Sequence, residues 1–206
     1  MYFTGSPGLL RLFMPSGLVW QIPTKDKSLY LTFDDGPVAG VTEEVLSLLK
    51  DFDAKATFFC VGDNVRKFPE LYKKILEAGH SAGNHTFHHL NGWKTTDEEY
   101  LKDVNQCAEL VDSKLFRPPY GRITRSQAGY LSKKYKIIMW SALGGDFDPK
   151  VSVEKCIKNI LKSAREGSII VLHDNKKSAK TMLKVLPQVL GYYSDKGFQF
   201  LPLQSH

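Results

Sequence analysis

The stretch Ser28-Leu29-Tyr30-Leu31-Thr32-Phe33-Asp34-Asp35-Gly36-Pro37 decides how this chain is read. An apolar run ends in two adjacent carboxylates, and Gly36-Pro37 then turns the backbone. A short apolar run bounded by a turn reads as a buried strand, so Asp34 and Asp35 stand where that strand turns over. Burying two carboxylates side by side costs free energy unless a cation or a proton offsets their repulsion. A metal ligand beside a general base satisfies both.

Working outward, similar strand runs recur at 56–61, 81–84, 115–117, 137–141, 169–172 and 198–203, after the first at 29–33. Helical patterns fill the gaps. Val41, Val45, Leu48 and Leu49 share one face. Pro69 opens a helix striped by Leu71, Ile75 and Ala78 and closed by Gly79. Thr96 and Glu99 form a capping box ahead of Leu101, Val104, Ala108 and Val111. Val153, Ile157, Ile160 and Ala164 make another stripe, ended by Gly167, and the last helix, 182–193, contains Pro187, which predicts a kink or split. Regular alternation implies a parallel sheet with helical crossovers. The expectation is an α/β fold, a distorted (β/α)7-type barrel in a single domain, with a doubly wound open sheet as the alternative. Residues 28–206 form that domain and 1–27 a leader packed on it.

The leader carries Leu9, Leu10, Leu12, Phe13 and Met14, but Arg11 interrupts the run, Pro15 and Gly17 end it, and no Lys or Arg precedes it. A secretory core needs roughly 7–15 uninterrupted apolar residues after a basic start. No segment is long enough for a transmembrane span. The expected location is therefore the cytoplasm, with the cell envelope as the alternative. The formal net charge is +6, and its lysines are spread through amphipathic segments rather than along a basic stripe interleaved with aromatics, which argues against nucleic acid as a partner. Cys60, Cys107 and Cys156 lie among apolar neighbours with no close pair, as buried free thiols do.

The suspicious polar residues all follow strands: Asp34 and Asp35 the first, His85 the third, Arg117 and Tyr120 the fourth, Asp146 the fifth, His173 the sixth. In a parallel barrel those strand ends share one rim, where active sites form. On a helical turn the His85 and His89 rings would project from one face, the spacing by which one segment gives a metal two imidazoles. His88 competes with His89 but would point outward. Two histidines and one carboxylate leave coordination positions open, as a catalytic metal site requires. Zinc is the default, and the donor set also accepts cobalt or nickel. His173 could be a satisfied core histidine or a proton donor near neutral pH. Pro118-Pro119 and Gly121 build a rigid loop around Arg117 and Tyr120.

Four strings, Thr32-Phe33-Asp34-Asp35-Gly36-Pro37, His85-Thr86-Phe87-His88-His89, Arg117-Pro118-Pro119-Tyr120-Gly121 and Leu172-His173-Asp174, resemble the motifs of the polysaccharide deacetylase family, carbohydrate esterase family 4, in the family's order. The resemblance spans residues 28–203 and implies a distorted (β/α) barrel. It implies Asp34 as catalytic base, Asp35, His85 and His89 as metal ligands, and Tyr120 as the donor of a backbone N–H to the oxyanion. It implies His173 as general acid, Leu172 as the lining of a pocket for the acetyl methyl, and Asp146 as the residue tuning His173, with Arg117 as another partner. The family's Leu-x-His word is met by Leu172-His173 in shortened form, or by Ile170 upstream. The fourth motif departs. Many members carry Asp-Trp where this chain has Asp146-Phe147, which keeps an aromatic platform and loses the indole N–H, and Gly144-Gly145 loosen that wall. The activity implied is metal-dependent hydrolysis of the acetamide of an N-acetylated sugar or polysaccharide. Two alternatives stay open: a cytoplasmic amidohydrolase or deformylase for a small or lipid-linked amide, and a non-catalytic carbohydrate-binding descendant. The last would have lost its base or its acid, and Asp34 and His173 are both present.

Overall fold

A computed structural model describes residues 14–204. Among the described residues eight strands form one sheet: β1 (Ser28–Asp34), β2 (Ala56–Cys60), β3 (Ser81–Asn84), β4 (Leu115–Phe116), β5 (Lys136–Ile137), β6 (Ala142–Leu143), β7 (Ile169–His173) and β8 (Gln199–Phe200). The order is β5-β4-β3-β2-β1-β7-β6, with β8 on β1, and every ladder is parallel. Crossovers come from α1 (Thr42–Asp51), α2 (Gly62–Lys67), α3 (Pro69–Glu77), α4 (Asp97–Ala108), α5 (Arg125–Leu131), α6 (Val153–Ser163) and α7 (Ala179–Ser194). The central strands are buried on both faces, which is why they read as unbroken apolar runs. Helix-side residues such as Leu31, Phe33, Phe58, Ile170 and Leu172 join Ile160, Met182 and Leu186 in the main core. Each such side chain contributes about 1.5–3 kcal/mol when fully buried.

The sheet curls into a barrel that no ladder closes among the described residues. Here the expected single strand at 137–141 proves to be two. β5 and β6 are the opposite edges of the sheet, and residues 138–141 cross the opening between them. Part of the leader finishes the seam: Val19 N–H donates to Ile137 O (2.8 Å), Met139 N–H to Val19 O (2.7 Å), and Ile22 N–H to Gly167 O (2.9 Å). A side chain at Gly167 would come within 1.9 Å of Ile22 O, so the docking requires glycine. Val19 and Ile22 pack against Phe59, Leu115, Ile138, Ile169 and Leu203. Leu9, Leu10, Leu12 and Phe13 lie outside the described residues. Pro187 neither splits nor ends α7, because Val185, Leu186, Val189 and Leu190 stay buried on either side of it. That packing outweighs the roughly 3 kcal/mol a mid-helix proline costs. All three cysteines are free and buried.

Candidate metal centre and catalytic cleft

Strand alternation sends Phe33 into the helix-side core and Thr32 and Asp34 into the curl. There the buried Arg117 donates from Nη1 to Asp34 Oδ1 (2.6 Å) and Thr32 Oγ1 (2.7 Å). Its remaining donors reach Ile138 O and Met139 O, and its guanidinium lies 4.1 Å above the Phe59 ring. Burial pulls the Arg117 pKa down and the charge of Asp34 opposes it. Arg117 was expected beside His173 and Asp146. It holds Asp34 instead, because it is rooted in the barrel interior rather than on the rim. The two carboxylates separate at the strand end, where Asp35 adopts φ 82°, a left-handed conformation that turns its side chain away from Asp34.

The histidine segment is not a helical turn. Thr86 (φ 62°) and His89 (φ 58°) are left-handed, and the loop is built by hydrogen bonds to α4. Asp103, itself buried, accepts from Phe87 N–H (2.8 Å) and His88 N–H (2.9 Å) through Oδ2, while Oδ1 lies 2.6 Å from His88 Nδ1. His88 is thereby turned away, leaving His85 and His89 with ring centroids 5.0 Å apart. Asp35, His85 and His89 each present one ligand atom, and all lie within 4.8 Å of one another. Asp35 Oδ1 is 3.1 Å from His89 Nε2 and 3.7 Å from His85 Nε2.

The surroundings orient these donors for a cation. His85 Nδ1 donates to Arg117 O (2.8 Å), so its Nε2 carries the lone pair facing Asp35. Burial pushes the His85 pKa down to about 4, which keeps the imidazole neutral. Tyr120 Oη stands 3.1 Å from His89 Nδ1. Asn175 Nδ2 donates to Asp35 Oδ2 (2.6 Å) and Asn64 Nδ2 to Asp35 O (2.7 Å), leaving Oδ1 directed at the histidines. Burial works to raise the Asp35 pKa, but the hydrogen bond from His89 and the charge of His173 hold it well below the usual carboxylate range. Two neutral-capable imidazoles and one carboxylate, each fixed by an outer partner, fit a divalent metal.

Register places His173 directly beside Asp34 on the neighbouring strand. Asp146, buried, accepts from His173 N–H through Oδ2 (2.8 Å) and faces His173 Nδ1 through Oδ1 (3.0 Å). Burial alone would lower the His173 pKa, but Asp146, by charge and hydrogen bond, together with Asp35 and Asp34, pushes it up to about 9. The Phe147 ring meets His173 edge-on, centroids 5.0 Å apart. Leu172 does not join them. It is fully buried against Gly144 in the core it shares with Ile160 and Met182, and Ile170 points the same way. Side chains alternate along a strand, so Val171, two positions before His173, shares its face. Tyr120 is 59 % exposed at φ 60° on the opposite wall, its ring 4.6 Å from that of His89.

Sequence reasoning missed the groups behind the turn. The Asp174 carboxyl is buried, accepts from Gly36 N–H (3.0 Å) and Thr42 Oγ1 (2.6 Å), and has its pKa pushed up by burial to about 8. A Cβ on Gly36 would lie 2.0 Å from Asp174 Oδ2. Asn64, Asp103 and Asn175 are equally silent in sequence, being ordinary polar residues on a helix or loop. Only the position of Asp174-Asn175, straight after a buried strand, offered a signal.

The chain is similar in sequence and fold to known proteins. Residues 21–137 match the family model described as polysaccharide deacetylase. The chain is 33% identical over 203 residues to a peptidoglycan-N-acetylglucosamine deacetylase of Bacillus cereus, covering 91% of this chain and 92% of that one. It is 34% identical over 166 residues to a chitooligosaccharide deacetylase of Azorhizobium caulinodans, covering 77% and 79%. A crystal structure of the Bc1960 peptidoglycan N-acetylglucosamine deacetylase, bound to an aryl N-hydroxybenzamide, superposes with a TM-score of 0.87 at 30% identity, covering 96% of this chain and 95% of that one.

Proposed function

The chain belongs to the polysaccharide deacetylase family, and from that premise we propose that it removes acetyl groups from N-acetylated amino sugars of a glycan. It is a hydrolase of carbon–nitrogen amide bonds outside peptides. The observation that carries the reading is the pairing of Asp34 with His173 in adjacent-strand register, beside the Asp35–His85–His89 cluster. An amide needs both a base for the incoming water and an acid for the leaving amine, and here the two stand side by side.

Asp35, His85 and His89 would hold a divalent metal, zinc by default or else cobalt or nickel. When bound there, such an ion polarises the amide carbonyl and lowers the pKa of water. Asp34 acts as general base. Its Oδ1 is anchored by Arg117, and Oδ2 takes the proton of the attacking water. The backbone N–H of Tyr120 donates to the oxygen that gains charge, a contact worth about 3–4 kcal/mol in acyl transfer. His173 carries a proton on Nε2 because Nδ1 is committed to Asp146, and it delivers that proton to the departing nitrogen. At pH 7 a group with a pKa near 9 is charged, as an acid must be. Phe147 offers its ring to the sugar without an indole N–H. The names of the relatives favour peptidoglycan or chitin-type oligomers, and a peptidoglycan substrate favours the cell envelope over the cytoplasm as the site of action. Among the described residues no helix is long and apolar enough to cross a membrane.

The test is release of acetate and formate from chitooligosaccharides, peptidoglycan fragments and lipid-linked amino sugars, with Asp34→Asn as comparison. Acetate from the glycans, reduced about 10²- to 10⁴-fold in the variant, is expected. Formate alone would move the reading to a deformylase, and binding without release to a non-catalytic protein.

A further inference from the structure

The β3–α4 and β4–α5 loops leave the same rim and are zipped together outward from the metal centre. The first step is His89 against Tyr120, rings 4.6 Å apart. The second is Gly92, whose Cβ would lie 2.6 Å from Arg122 O, so the two backbones touch. The third is Trp93, whose Nε1 donates to Ile123 O (3.1 Å) and whose ring lies 5.3 Å from the Arg122 guanidinium. Gln127 Nε2 donates to Gly92 O (3.0 Å), and Trp93 N–H to Asn91 Oδ1 (3.1 Å), fixing the tip. The result is a ridge that starts at a metal ligand and ends at an indole that is 60% exposed.

Indoles are buried on average, and this exposed one is anchored by its Nε1 hydrogen bond and by the Arg122 guanidinium. One face is covered by a guanidinium, and the indole N–H is already satisfied. What remains is an apolar face held in place at no further ordering cost, the feature on which the C–H face of a pyranose packs. Tyr120, the other exposed aromatic of these loops, packs on His89, and Arg122, two residues further along the same loop, lays its guanidinium against Trp93. A monosaccharide held at the metal centre does not extend along the ridge, whereas a chain of sugars does.

We propose that Trp93, with Arg122, forms a glycan subsite beyond the sugar next to the one that is deacetylated, so that the enzyme selects longer oligomers over a disaccharide. The proposal rests on the reaction assigned above. It is tested by calorimetric binding of chitobiose and chitopentaose, both fully N-acetylated, to zinc-loaded Asp34→Asn protein, with and without Trp93→Ala. Binding in this variant is read independently of turnover, so failure of the reaction and failure of the subsite are separate results. The expected outcome is tighter binding of the pentamer than the dimer, and a fall of roughly 5- to 30-fold in that ratio on Trp93→Ala, the span of a lost stack. Trp93→Phe, which keeps an aromatic face, restores most of the ratio. Equal weakening of dimer and pentamer in Trp93→Ala, or a ratio that does not change, overturns the subsite.

Discussion

Replacing Asp146 by asparagine should move the alkaline limit of activity downward by more than two pH units. The His173 pKa stands at about 9 against an ordinary 6.5, with Asp146 the first of the groups that raise it. That gap is about 3 kcal/mol of preference for the charged imidazole. The amide of Asp146→Asn would still accept the His173 backbone N–H but would carry no charge, leaving burial, which lowers the pKa, opposed only by the more minor contributions of Asp35 and Asp34. At pH 8 about nine-tenths of wild-type His173 is protonated, against about 3% if the pKa returns to 6.5, so kcat/KM should fall roughly 30-fold there. At pH 5.5 the two proteins should be nearly equal in protonation of this group. A cation on Asp35 cancels that carboxylate's share and lowers both profiles together, so their separation is the quantity that reports Asp146. The assay is acetate release against pH for zinc-loaded enzymes. An alkaline limb in the variant that coincides with that of the wild type would show that Asp146 does not raise the His173 pKa. Stability should follow the same sign. A folded-state pKa raised above the unfolded one stabilises fully below about 6.5 and ceases to do so as pH rises through about 9, so the gap in melting temperature between the two proteins should close over that window.

Other outcomes follow from the supports of the site. Asn175→Ser retains an oxygen that can accept Ser178 N–H but cannot reach Asp35, so metal affinity measured by chelator competition should drop about 10- to 100-fold while the melting temperature of the metal-free protein stays close to wild type. Gly36→Ala forces a methyl into the space of the Asp174 carboxyl, and urea unfolding should show a loss of about 1–3 kcal/mol together with weakened metal binding.

The central strands were legible because burial on both faces removes polar residues from them, and parallel pairing then brings their C-terminal ends to one rim. The segment at 137–141 misled for the same reason. Ile138 and Met139 are apolar because the chain is buried while crossing the seam, not because it continues the strand that ends at Ile137. The spacing of His85 and His89 was enough to pair them, but their conformation was not legible, since the loop is set by Asp103, on a helix later in the chain. Leu172 was misplaced by one residue of strand parity, which exchanges cleft for core. Arg117 was recognised as special, yet its partner depends on how deeply its guanidinium reaches into the curl, and spacing carries no depth. The amides and carboxyl behind Asp35 act only through contacts made by folding, and no local pattern marks them.

Central to the proposed function is that Asp35, His85 and His89 hold one ion that this chain uses to cleave an acetamide. The most direct measurement is a zinc titration of metal-stripped protein, with acetate release from N-acetylated chitopentaose and from peptidoglycan fragments followed at each step. No release is expected without metal, followed by a linear rise that breaks at about one equivalent per chain, as a single three-residue site implies. Full activity in the stripped protein, or metal bound at one equivalent with no acetate released from either glycan, would contradict it.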